Sequence, residues 1–203
     1  MKAQLQITAG YKKDKTFLKQ CFFTQPFKIG NVTEDRSESL LKLMIMSSSP
    51  GVLDNDHYDT IIEIEEDAQL QITTQGYQRL FNMKNAACQF TNVHVKNNAS
   101  FCYLPHPAVP HKQANYSSVN NIYLQKKHSL IWGEIITCGR KLSGEEFRFT
   151  KFHNVTNIYL ENKLLIKENV LIEPSKRNLR SIGQLEGYTH QSNLLFLSSI
   201  FVH

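Results

Sequence analysis

The chain has 203 residues, 41% of them hydrophobic, with a formal charge of +5 and a pI near 9.0. That length suits one domain with a sizeable core, and 20% charged residues with 9 Gly and 6 Pro exclude a disordered or low-complexity chain. The basic excess admits an anionic partner. Its only dense patches, "YKKDK" and "SKRNLR", lack the interleaved aromatics of an RNA platform, so nucleic acid is not expected as a partner.

Taken in chain order, "MKAQLQITAGYKKDK" lacks the apolar core of a signal peptide. "AQLQITA" (3–9), "TIIEIEE" (60–66), "AQLQITT" (68–74), "TNVHVKN" (91–97), "EFRFTKF" (146–152) and "TNIYLEN" (156–162) alternate apolar and polar residues. That is the period of half-buried strands. "GYQRLFNMKNAA" (76–87) is the best candidate for a single short helix, with a strand pair as the alternative. "PHPAVPHK" (105–112) reads as a rigid connection that stays out of a central ladder. The closing "NLLFLSSIFV" is too short to span a bilayer. No membrane partner is expected, and the cytoplasm is the expected location.

Four segments share one form of strand, polar turn and strand, with turns centred on Asp67, Asn98, Lys127 and Asn162. Spacings of 31, 29 and 35 residues predict stacked hairpins that bury their faces only against neighbours. The expected fold is all-β: stacked antiparallel hairpins in an elongated sandwich-like or β-helix-like single domain over 1–203, with at most one or two short helices.

Candidate chemistry is sparse. "SSPGVLDNDHYD" (48–59) gathers Asp54, Asp56 and Asp59 around His57. An EF-hand loop begun at Asp54 fails, because its sixth position is Asp59 rather than Gly. The acids are then turn residues or a metal-contacting or catalytic group. His106 and His111 flank the proline segment with no third ligand near in sequence, and His190 stands in "EGYTHQ". Cys21, Cys88, Cys102 and Cys138 form no CxxC pair and read as buried apolar groups. No phosphate loop, nucleophile elbow or H-E-x-x-H occurs.

Six segments in register resemble the UreD family of urease accessory proteins, also called UreH. They are "SSPGVLDND" with Pro50 and Gly51, "AQLQITTQGYQRLF" with Thr74 and Gln75, and "ASFCYLPHPAVPHKQANY" with Pro105 and Pro110. "LIWGEIITCGRKLSGEEFRF", with Trp132, Gly139 and Arg140, is the most specific; "KLLIKENVLIEP" and "EGYTH", with Gly187 and Tyr188, complete the order. Asp54 and Asn55 stand where the family has a glycine pair, and the family's C-terminal part is expected to be missing.

The resemblance implies a mostly β, non-catalytic chaperone that joins UreF, and through it the GTPase UreG, on the urease apoprotein subunits. It implies nickel insertion by transit through a water-filled passage, with no tightly bound cofactor. Loose transit suits oxygen ligands, and the family's pattern falls on Asp56, Glu134 and Glu168. Each has an alternative: Asp56 as a turn cap, Glu134 as an ion-pair partner of Arg140, Glu168 on a solvated face. Arg140 and Glu145 are expected to hold the "GRKLSGE" turn. A functional alternative is a β-solenoid acting on or binding carbohydrate through Asp54 and Asp56.

Overall fold

The computed structural model describes residues 1–35 and 37–199. Its regular elements are strands apart from one 3₁₀ turn at Lys141–Ser143. One sheet holds β1 (Lys2–Lys12), β2 (Lys15–Phe23), β5 (His57–Ile64), β8 (Ala87–Val95), β11 (Asn115–Leu124), β13 (Lys151–Leu160) and β14 (Lys163–Ile172). The other holds β3 (Phe27–Asn31), β4 (Leu41–Ser47), β6 (Gln69–Thr74), β7 (Gln78–Leu80), β9 (Ala99–Leu104), β10 (Ala108–Pro110), β12 (His128–Thr137) and β15 (His190–Ser198).

The all-β, layered, solenoid-like architecture is the expected one, but the strand pairing differs. Only the last of the four repeats is a hairpin, β13 against β14. In the others the two strands belong to opposite sheets, as β5 and β6, β8 and β9, and β11 and β12, and each pairs in parallel with its equivalent in the next repeat. Connection length explains the split. Two residues with positive φ join β1 to β2 (Lys13, Asp14) and β13 to β14 (Glu161, Asn162), as a tight hairpin turn requires. Three or four residues separate the other pairs, enough for the chain to cross the core.

Stacking equivalent positions produces ladders. Inside, Ile62, Val93, Ile122 and Ile158 align on one sheet, and Leu70, Phe101 and Leu130 on the other. All seven are buried. At ~25 cal/mol per Å² of apolar area, such rows are the main stabilising term. On the outer face Asn121 accepts from Asn157 (3.0 Å) and donates to Asn92 (3.1 Å), while His94, Tyr123 and Tyr159 stack at 4.9 and 5.0 Å.

Three local expectations are corrected. Residues 76–86 form β7 and a loop rather than a helix, and Ala87 opens β8. "EFRFTKF" joins a ladder only from Lys151, although Phe149 and Phe152 are still buried. The proline segment enters the sheet: β10 lies between β7 and β12, with Pro110 at its end opposite Leu80. Proline is tolerated there because only its carbonyl is available to a ladder.

Candidate functional site

Two apolar clusters fill the space between the sheets, one around Ile62, Phe101 and Leu130, the other around Tyr58, Leu80 and Phe149. A polar belt separates them. Thr60, Thr91, Asn120 and Thr156 occupy one inward row of the first sheet, and Gln89, Ser118 and Asn154 the row beside it. Thr60, Thr91, Ser118, Asn120, Asn154 and Thr156 are all buried. Buried polar groups are costly unless hydrogen-bonded, and these are bonded largely to one another. Asn120 Nδ2 reaches Asn154 Oδ1 and Thr156 Oγ1, both at 3.1 Å, and Ser118 Oγ donates to Asn154 Oδ1.

Glu134 faces this belt from β12. Its carboxylate accepts hydrogen bonds from Trp132 Nε1 (2.7 Å), Asn154 Nδ2 (2.7 Å), Asn120 Nδ2 (3.1 Å) and the Thr156 hydroxyl. Trp132 and Glu134 are two residues apart on one strand, hence on the same face, and the indole is locked against Tyr103 at 4.6 Å. Four neutral donors surround the carboxylate, and among the described residues no cation pairs with it. A cavity of about 500 Å³ adjoins it, lined by Glu134, Asn120, Asn154, Tyr58, Tyr103 and Tyr116 among others. Desolvation raises the three phenols above their ordinary range, with the charge of Glu134 adding to the effect at Tyr103.

The same cavity is also lined by Pro50, Gly51, Thr74, Gln75, Pro105 and His106. These residues are far apart in sequence but meet for a stereochemical reason. A Cβ on Gly51 would lie 2.3 Å from the Arg79 carbonyl, so only glycine admits the 2.8 Å bond from Val52 N to that oxygen. The Thr74 hydroxyl accepts from the His106 backbone N–H (2.8 Å), tying β6 to the segment after β9.

The three expected passage carboxylates separate in space. Glu134 is on the cavity. Glu168 is half-buried on the edge strand β14, opposite Thr156, and alternation places it on the inner face between Ile166 and Val170. Asp56 does not line the cavity. It is 3% exposed and sits behind Tyr58, whose hydroxyl donates to Oδ2 at 2.8 Å. Oδ2 also accepts from Leu53 N (2.8 Å), and Oδ1 lies 2.9 Å from the Met1 amine. Asp56 is a turn-closing residue.

Asp54 bonds Asn85 through both oxygens, at 2.9 and 3.2 Å, and Asp59 bonds His57. Asp54 and Asp56 are thus taken up by separate turn contacts rather than paired with each other, which removes the geometric basis of the carbohydrate reading. Arg140 makes a bidentate pair with Glu145, not Glu134, and Glu145 Oε2 also accepts from Lys112 N at 3.1 Å. That pair holds the carboxyl of Glu145 below its ordinary range. Gly139, at φ 114°, closes the same turn, where a Cβ would lie 2.5 Å from the Glu145 carbonyl. Gly187 and the 74%-exposed Tyr188 lie on a surface loop. His106 sits at the cavity edge against Tyr77, His111 is buried against Phe81, and His190 bonds Thr189. Among the described residues, no three His, Cys, Asp or Glu side chains converge on a metal position, and no helix is long and apolar enough to cross a membrane.

Asn120, Asn154 and Thr156 were not singled out by their residue types. For Asn120 and Thr156 the signal is the recurrence of "TII", "TNV", "NNI" and "TNI" at equivalent points of the repeat, with a polar residue where alternation calls for an apolar one; Asn154, two residues before Thr156, lies outside it.

A family model described as "UreD urease accessory protein" matches residues 1–201. The urease accessory protein UreD of Flavobacterium johnsoniae is 47% identical over 196 residues, covering 97% of this chain and 71% of the relative. UreD of Acetivibrio thermocellus is 33% identical, covering 96% and 74%, and UreH of Helicobacter hepaticus 30%, covering 92% and 73%. With residues 1–201 matched by the family model and relatives up to 47% identical, the chain belongs to the UreD family of urease accessory proteins.

Proposed function

We propose that this protein is a non-catalytic chaperone of urease maturation. It works in the cytoplasm, joins UreF and, through it, the GTPase UreG on the urease apoprotein, and passes nickel along the belt between its sheets. Glu134 carries the reading: an interior carboxylate held by four neutral donors on a cavity of about 500 Å³. A hard oxygen donor flanked by amides and hydroxyls binds a divalent cation weakly and exchanges it readily, whereas a closed set of His and Cys ligands would trap it. A carboxylate facing the cavity also attracts cations, where positively charged walls would repel them. Glu168, on the same inner face across Thr156, offers a second carboxylate at the edge of the belt.

The scaffold part is tested by co-purifying the full chain with UreF and apo-urease. A three-component complex is expected, with little nickel retained by this protein alone. Failure to bind either partner would sink the reading.

A further inference from the structure

On the outer face of the first sheet, turned away from the belt, lies a constellation to which the proposed function assigns no part. His57 of β5 and Cys88 of β8 are paired positions of adjacent parallel strands. Cys88 Sγ lies 3.2 Å from His57 Nδ1, and His57 Nε2 lies 3.1 Å from Asp59 Oδ1. Phe90 packs against the imidazole with ring centroids 5.4 Å apart. Along the same row the flanking positions are Lys2 on β1 and Ser117 on β11.

The order of contacts fixes the chemistry. An ionised carboxylate only accepts hydrogen bonds, so in the neutral imidazole the tautomer that fits these contacts has its proton on Nε2, facing Asp59. Nδ1 is then left as a lone pair directed at the thiol, the tautomer a general base requires. The other three cysteines have no imidazole partner in any described hydrogen bond, and all four are free. Burial pushes the Cys88 thiol up, and the charge of Asp59 adds to this. A preformed thiolate is therefore not the resting state, and attack needs the base.

We propose that Cys88, with His57 as base and Asp59 as the group that orients it, is a reactive thiol that forms mixed disulfides with low-molecular-weight disulfides. As the sulfur attacks, the thiol proton passes to His57 Nδ1. A bond forms between Cys88 Sγ and one sulfur of the small disulfide while that S–S bond breaks. The departing thiolate takes the proton from His57 and leaves as a thiol. No outside oxidant is needed, because the small disulfide is itself reduced. The row neighbours of Cys88 are His57 and Ser117, so no second cysteine stands beside it to resolve the product.

The test incubates the folded full chain with oxidised glutathione and follows the four cysteines by peptide mass. Cys88 is expected to react fastest. His57→Gln should slow it by about tenfold or more, with the rate at the similarly half-buried Cys102 unchanged. Asp59→Asn should slow it less, and free imidazole should partly restore His57→Ala, which a merely structural role would not allow. Cys88 reacting no faster than Cys102, or a Cys88-to-Cys102 rate ratio unmoved by His57→Gln, would overturn the proposal. If a variant loosens the fold, all four rates rise together, and the ranking in the unaltered chain decides.

Discussion

Asp56, buried, and Glu134, half-buried, are both carboxylates with their acceptors occupied, yet they are held in different ways. Asp56 closes a corner. One partner is the backbone N–H of Leu53, and Tyr58 separates it from the cavity. Glu134 is held only by side chains and faces open volume. A carboxylate bonded to main chain is part of the architecture. One held by amide and hydroxyl side chains can give up a donor and take a cation without unfolding anything.

The comparison can be broken most sharply at Asp56. Asp56→Ala leaves the Leu53 N–H and the buried Tyr58 hydroxyl without their acceptor, so a loss of about 3 kcal/mol is expected. A fall in Tm of roughly 10 °C follows for a chain of this size, measured by calorimetry. Nickel delivered per folded molecule should be unchanged. A stable Asp56→Ala that delivers no nickel would reverse the two roles.

Gly51→Ala probes the backbone beside that corner. The added methyl collides with the Arg79 carbonyl, and about 2 kcal/mol should be lost as the Val52 bridge opens. Denaturant unfolding measures it. Thr156→Val is smaller. It removes one donor to Glu134 at nearly constant volume and should cost about 1 kcal/mol, while weakening cation exchange in the belt.

The smallest expected effect is in pH dependence. Burial, assisted by the charges of Arg140 and Arg79, lowers the pKa of His111. The unfolded state therefore takes up a proton that the fold resists. Stability from this group is fully present above about pH 6.5 and is lost as pH falls below it. His111→Gln should flatten that slope in a stability–pH titration. The lowered Glu145 acts in the same direction at more acid pH, with its contribution present above about pH 4.3 and lost as its carboxyl protonates.

Much of the fold was legible in the residues, and what was not has a physical cause. Alternation identified Ile62, Ile64, Leu70 and Ile72 as inward positions, and the 31- and 29-residue spacings marked the repeat. Arch and hairpin share that pattern, because both put a polar turn between two alternating strands. Connection length separates them: two residues at Glu161–Asn162, four between Ile64 and Gln69. At the site, resemblance brought in Asp56 and Glu134 together, but local sequence does not say which side of Tyr58 a carboxylate occupies. Asn154 donates to Glu134 from 20 residues away, a relation that exists only once β11, β12 and β13 have stacked.

The most direct measurement is the nickel content of urease matured with Glu134→Gln in the full complex. The amide keeps the shape of the side chain and removes its charge. We expect the complex to assemble and urease to emerge nickel-poor; normal nickel content with the complex intact would contradict a carboxylate-lined path through the belt.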